Sequence, residues 1–154
     1  MIRSLLFISF VCLFSCKAQK DGDSPVGEQI ADMVLVDHDD FSNIEVYETR
    51  VIRDSKSLRK FYTEINKTRK PGLPVPIIDF SKEMVVLVCL GEQRGKKTAR
   101  LSKLKETDNE VSIAVEILDE EQEGEITIQP LYFPFYLYKM PLIDKTIAFQ
   151  KVGK

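Results

Sequence analysis

The sequence predicts an α+β fold, a single β-rich domain of about seven mainly antiparallel strands with one amphipathic helix. Short segments of alternating or continuous apolar residues recur between turn-forming residues, which is typical of strands. Helical spacing of apolar residues is clear only near residues 56–67. Apolar residues make up 44% of the 154 residues, which is enough for one hydrophobic core.

The first half of the domain contains two predicted strands and the helix. Residues 30–36 and 44–52 have the composition of strands. Ser55 and Ser57 are alternative N-caps for the helix that follows. Its apolar face is formed by residues at helical spacing, and the prolines after it forbid its continuation: Leu58, Phe61, Tyr62 and Ile65, then Pro71, Pro74 and Pro76.

The second half is predicted to be β-structure. Residues 84–90 form a continuous apolar run typical of a central strand, and residues 91–97 form a turn. Asp108-Asn109 favours a hairpin turn. The strands predicted here lie at 98–106, 110–118, 125–129, 134–140 and 145–151.

The N-terminus has the pattern of a secretory signal over residues 1–15. Arg3 precedes a nearly continuous apolar segment at residues 5–14. A ten-residue helix rises only about 15 Å, half of a hydrocarbon core of about 30 Å. The segment therefore predicts export rather than a spanning anchor.

Residues 13–16, Leu-Phe-Ser-Cys, resemble a lipobox, which predicts lipidation of Cys16 with fatty acid such as palmitate and cleavage before it. Lys17 favours the outer membrane of a Gram-negative bacterium, on its periplasmic face or at the cell surface. The charged stretch 19–23 is similar to short surface-export tags. The alternative is an ordinary signal cut after Ala18, which leaves the chain without lipid.

Charge and cysteine content limit the function of the mature chain. Removal of residues 1–15 leaves 139 residues, and loss of Arg3 changes the net charge from −2 to −3. That balance argues against a nucleic-acid partner, which requires a basic face. Cys89 is then the only cysteine besides Cys16, and its apolar neighbours predict a buried thiol rather than a reactive one. Residues 16–29 read as lipidated cysteine and tether, and residues 30–152 as the globular domain.

Several short motifs occur in one order over residues 44–151. Asp-Phe-Ser-Lys-Glu-Met-Val-Val at 79–86 is followed by Leu-Gly-Glu at 90–92, a hairpin strand at 111–115 and an aromatic segment at 134–141. In this order the chain resembles the C-terminal domain of the protease complex subunit PrcB family. The resemblance implies a lipoprotein subunit that associates with an exported protease and stabilises it. One motif differs, because residues 94–99 stand where the family usually has a Thr-Gly-Gly-Tyr turn.

The residue types that carry catalysis are sparse. His38 is the only histidine, within Asp37-His38-Asp39-Asp40, and we interpret this stretch as a solvated loop rather than a metal site or catalytic base. The acidic run 119–125 reads as a solvated loop, and residues 21–23 lack the further ligands of a calcium loop. We therefore predict a non-enzymatic protein without cofactor or metal.

Two segments are candidates for binding a partner protein. The basic residues of segment 94–105 read as solubilising charges or as a docking face for an acidic partner. The aromatic stretch 131–138 reads as core or as a contact surface. The candidate partner-binding residues are Arg94, Lys96, Lys97, Tyr132, Phe133 and Phe135. Two other functions stay open: protease inhibition through the 91–98 loop, and carriage of a small apolar ligand or a metal in the envelope.

Overall fold

The computed structural model describes residues 25–120 and 130–153. The described residues form nine strands and one helix, which confirms the predicted α+β class. In chain order these are β1 (Val34–Asp39), β2 (Glu48–Ile52), α1 (Ser55–Ile65), β3 (Glu83–Cys89), β4 (Gln93–Arg94), β5 (Lys97–Glu106), β6 (Glu110–Asp119), β7 (Leu131–Tyr132), β8 (Phe135–Pro141) and β9 (Thr146–Val152).

The strands form two larger sheets and one short ribbon. The four-stranded sheet has the order β1-β8-β3-β2, and the three-stranded sheet has the order β5-β6-β9. β4 and β7 form the two-stranded ribbon. All pairings are antiparallel except β6 with β9, which run parallel.

The four-stranded sheet, called the central sheet below, separates two hydrophobic clusters because alternate side chains of a strand point to opposite faces. Val85 and Leu87 of β3 face α1 and pack in one cluster with Phe61 of that helix. Met84 and Val86 face the other way and pack with the three-stranded sheet. The domain therefore has three layers, with α1 and the three-stranded sheet on opposite sides of the four-stranded sheet.

β8 shows why both faces of the aromatic stretch are apolar. It lies between β1 and β3, where Phe135 and Leu137 are fully buried in the α1-facing cluster. On the other face, the hydroxyl groups of Tyr136 and Tyr138 donate to the carbonyl oxygens of Lys97 and Ala99, at 2.8 and 2.9 Å. The two tyrosines thus join the sheets, and a buried hydroxyl is stabilised by such a bond.

Some local predictions differ from the structure, and one is not tested by it. The first strand begins at Val34 rather than residue 30, because residues 31–32 turn and Asp32 has a positive φ of 59°. The N-cap is Asp54, whose carboxylate accepts from the Ser57 backbone N–H at 2.8 Å, rather than either serine. The predicted strand 125–129 lies outside the described residues.

The sequence predicts that the domain begins at residue 30, after the tether, but contacts with the domain begin at Val26. The Glu28 and Lys103 backbones exchange two hydrogen bonds, at 2.9 and 2.7 Å, on the open edge of β5. The Val26 N–H donates to the Glu116 carboxylate at 3.3 Å. A Cβ at Gly27 would overlap the Lys103 carbonyl, so glycine is required for this approach. We call residues 26–28 the N-terminal clasp.

Candidate functional site

The β4–β7 ribbon lies at the end of the central sheet where β3 ends and β8 begins. Gln93 pairs with Tyr132, and Arg94 pairs with Leu131. Gly95 turns the chain with a φ of 72°, and its N–H donates to Pro130 at 3.1 Å. Because directly opposed residues of an antiparallel pair share a face, Arg94 lies beside Leu131.

Large apolar side chains are exposed around this ribbon. Phe41 is 52% exposed and Leu131 is 45% exposed. The Phe41 ring is tilted against the Tyr132 ring, with centroids 5.6 Å apart. Arg94 is exposed and forms no ion pair with a described residue. Successive side chains of a strand point to opposite faces, so Phe41 and Tyr132 lie on one face of the ribbon and Arg94 and Leu131 on the other. We call these four residues around the ribbon the tip surface.

The backbone of Phe41 is held in place by the partly buried ion pair between Arg69 and Asp39. Arg69 donates to both carboxylate oxygens of Asp39, at 2.9 and 2.6 Å, and also to the Phe41 carbonyl at 2.7 Å. Asp39 in turn accepts from the Phe41 N–H at 2.8 Å. Such bidentate pairing fixes geometry as well as charge. Phe41 is therefore presented by a preformed support.

The same support sets the ionisation of Asp39. Burial acts to raise the pKa of this carboxyl, but the Arg69 hydrogen bonds, the Phe41 N–H and the nearby positive charge together hold the pKa below its usual value. The charged form is thus favoured in the folded state.

This ionisation predicts a pH dependence of stability. The folded pKa of Asp39 lies below the unfolded value of about 3.9, so its contribution is present above that value and is lost as the pH falls through the folded pKa. We expect Asp39→Asn to lower the melting temperature near neutral pH, with the difference from wild type shrinking below about pH 4. Asp144→Asn, a carboxylate without an ion pair to a described residue, is the control. A difference for Asp39→Asn that stays constant through the acid range would contradict the assignment.

The predicted partner-binding residues divide into two groups. Arg94 and Tyr132 lie on the tip surface. Lys96 is half-buried between Asp40 and Glu120, at 3.7 and 3.5 Å.

Three further predicted residues are committed to internal contacts. Lys97 pairs with Asp119. The backbone of half-buried Phe133 bonds to Asp40 and Ser42, at 2.8 and 2.9 Å. Phe135 is fully buried, 5.3 Å from the Phe61 ring, so the core interpretation is the correct one and Phe135 is not part of a contact surface.

The Asp37–Asp40 stretch is the end of β1 and its continuation rather than a free loop. Asp37 accepts from the Tyr62 hydroxyl, Asp39 pairs with Arg69, and Asp40 lies against Lys96. The exposed His38 ring stacks on Tyr136, with centroids 5.9 Å apart. Within residues 25–120 and 130–153, no group of three or more His, Cys, Asp or Glu side chains is placed to hold a metal ion.

Cys89 is buried in the α1-facing cluster, as predicted. Burial is the main cause that raises the pKa of its thiol to about 12. Because the thiolate is the reactive form, this cysteine is inert at neutral pH.

Phe41 was missed by the sequence analysis. The only signal is a single aromatic residue within a polar stretch, Asp39-Asp40-Phe41-Ser42-Asn43. Such a residue is unusual in a loop because it cannot bury itself locally. The isolated parallel bridge between Phe41 and Phe133 places it beside the ribbon.

No protein family, curated protein or solved structure matches this chain. The resemblance to the PrcB family stays a prediction. Cys16 and the segment before it lie outside the described residues. None of the helical structure in the described part has the length and apolarity to cross a bilayer.

Proposed function

We propose that this protein is a membrane-anchored lipoprotein that binds another envelope protein through the tip surface and has a non-enzymatic, accessory role. The observation that carries the proposal is the exposed Phe41 ring packed on half-buried Tyr132, at a ribbon whose other face carries exposed Leu131 and Arg94, an arginine without an ion pair to a described residue. Aromatic residues and arginine are enriched at protein interfaces and dominate their binding energy.

The rigid support of the tip surface favours binding. Ordering flexible side chains and loops on association reduces affinity, so a preformed surface binds more tightly than a mobile one. The backbone at Phe41 is fixed by Asp39 and Arg69, and the ribbon is fixed by the Gly95 hydrogen bond to Pro130. Among the described residues of the tip surface, the backbone is thus held by hydrogen bonds before a partner binds.

Anchoring follows from the lipobox at residues 13–16. Lipidation of Cys16 would leave nine residues, 17–25, before the N-terminal clasp. Nine residues span at most about 30 Å when extended. The anchored domain would therefore stay close to the bilayer, with a partner in the same compartment.

For the partner we propose an exported protease, as the resemblance to the PrcB family implies, with the domain stabilising it. Inhibition through the 91–98 loop is the competing function, and β4 lies within that loop. The two functions give opposite results when the purified protein is added to an exported protease. An accessory preserves or raises proteolytic activity, whereas an inhibitor abolishes it.

A photo-crosslinker at the tip tests the binding site itself. With Phe41→benzoylphenylalanine in the full chain, irradiation of cells should give a discrete protein adduct. The same group at Leu142, an exposed leucine outside the tip surface, should not give that adduct. The same adduct from both positions, or none from position 41, contradicts the proposed site.

Alanine variants provide a matched energetic test. Leu131→Ala should weaken partner co-purification by roughly tenfold, because it removes an exposed leucine that the proposed interface buries. Leu142→Ala removes a leucine of similar exposure elsewhere and should leave co-purification unchanged. Equal effects of the two variants would show that the tip is not the interface.

A further inference from the structure

Positive charge is concentrated in one part of the chain. Residues 53–82 contain eight basic and three acidic side chains, a net charge of +5, whereas the whole chain has a net charge of −2. This stretch is α1 with the loop that follows it, on the outer layer of the domain. The outer face of that layer is therefore strongly cationic in a protein that is acidic overall.

The cations of α1 share its exposed side. Lys56 and Lys60 lie on the face of α1 opposite the buried residues, because positions four apart are neighbours on a helix. Arg59, which precedes Lys60, is exposed as well. None of these three forms an ion pair with a described residue, unlike Arg69, Lys96, Lys97, Lys103, Lys139 and Lys145.

An apolar side chain projects beside these cations. Ile77 is completely exposed and lies next to Arg59 in the groove between α1 and the following loop. Contacts on both sides of Ile77 hold this loop on the domain. The Asn66 side-chain amide exchanges two hydrogen bonds with the Leu73 backbone, at 2.9 and 2.8 Å, and Phe80 packs into the core.

Proline stiffens the segment between these fixed points. Pro74 and Pro76 fix their own backbone φ angles, so the chain that leads to Ile77 has few conformations. The fully exposed Ile77 side chain buries no surface in the isolated domain. Its transfer into an apolar phase is favourable.

We propose that Lys56, Arg59, Lys60 and Ile77, the basic face, bind an anionic phospholipid bilayer with Ile77 inserted among the lipids. The lysines on this helix surface are not held in ion pairs with described residues. An anionic bilayer has a diffuse negative charge that attracts each nearby cation. A side chain that projects from the domain suits a deformable apolar phase. An acidic protein patch is the other partner with complementary charge.

The basic face deepens the anchoring part of the proposed function, on which its cellular role rests. The predicted lipid at Cys16 holds the chain on the membrane, and a basic surface is a further contact that would hold the domain itself against the bilayer. Ile77 lies beside the start of α1, whereas the tip surface lies at the opposite end of β3 and β8. Both surfaces can therefore be occupied in the same molecule.

Vesicle sedimentation tests this proposal without the lipid on Cys16. The chain from Lys17 onward contains every described residue, and its melting transition and that of each variant verify the fold. It should sediment with vesicles of mixed phosphatidylcholine and phosphatidylglycerol, less so as salt is raised, and not with phosphatidylcholine alone. Because acylation is absent, failure of the Cys16 prediction does not affect the result.

Variants locate the contact. Lys56→Glu with Lys60→Glu should weaken binding by at least about 30-fold. Ile77→Asp should weaken it by at least about tenfold. Lys105→Glu, which reverses a cation outside the basic face, and Val46→Asp, an exposed valine near the tip, should bind like wild type.

Insertion has its own readout. In Ile77→Cys, an environment-sensitive fluorophore should react at position 77 and not at buried Cys89, and its emission should shift to the blue with anionic vesicles. Equal sedimentation with both vesicle types, wild-type binding by the variants, or an unshifted fluorophore overturns the proposal. A crosslinker at position 77 provides one further outcome. A protein adduct that is lost in the charge-reversal variant, together with no vesicle binding by the wild type, would show that the basic face binds an acidic protein and would overturn the proposal.

Discussion

Phe61→Ala is expected to lower the free energy of unfolding by about 3–5 kcal/mol, the range for truncating a fully buried phenylalanine. Phe61 is 0% exposed and joins α1 to the central sheet. Its ring contacts Tyr62 and Phe135 edge to face, at centroid distances of 5.5 and 5.3 Å. The substitution removes these contacts and leaves a cavity at the centre of the α1-facing cluster.

Urea denaturation followed by circular dichroism measures this loss. Ile77→Ala is the control, because it truncates an apolar side chain that is completely exposed. We expect the free energy of unfolding of the control to match that of wild type within about 0.5 kcal/mol. A Phe61→Ala variant as stable as the control would mean that α1 does not pack on the sheet as described.

Gly91→Ala is expected to lower the free energy of unfolding by at least about 2 kcal/mol. Gly91 has a φ of 73°, which costs an L-residue roughly 1–2 kcal/mol. A Cβ there would also lie 2.7 Å from the Tyr47 nitrogen and 2.8 Å from the Glu45 oxygen, both backbone atoms that cannot move aside independently.

The matched control is Gly153→Ala, because a Cβ at Gly153 meets nothing within 4 Å. Thermal melts of the two variants measure the difference. Since Gly91 leads into β4, the same substitution should also reduce the photo-crosslink from position 41. Wild-type stability of Gly91→Ala would show that residues 45–47 do not pack against this turn.

Periodicity predicted the elements that are long enough to show it. The apolar face of α1 and the β5–β6 hairpin around Asp108-Asn109 both occur where the pattern places them. The continuous apolar run became β3, which is buried on both faces. These elements are visible in the sequence because each buried face requires apolar residues at a regular spacing along the chain.

Other features depend on contacts between distant residues. β4 and β7 have two residues each, too few for any alternation, and their pairing joins Arg94 to Leu131. The parallel pairing of β6 with β9 likewise has no local signal. Ser55 and Ser57 were the predicted caps, whereas Asp54 is the cap and its carboxylate accepts from the Ser57 backbone N–H and hydroxyl.

The candidate site was predictable only in part. Arg94 and Tyr132 were identified from a basic loop and an aromatic stretch, but Phe135 could not be assigned to core or surface while both faces of its strand were apolar. Only the tertiary structure shows that Tyr136 and Tyr138 bond to β5, which buries that second face. The position of the Phe41 backbone depends on Arg69, 28 residues away in the chain.

Lipid attachment at Cys16 is the claim on which anchoring depends, and intact mass spectrometry of the protein purified from membranes tests it most directly. We expect a chain that begins at Cys16 and carries the added mass of diacylglycerol and fatty acid. Cys16→Ser should abolish this mass and release the domain from the membrane fraction. A chain that begins after Ala18 without added mass would show that Cys16 is not lipidated.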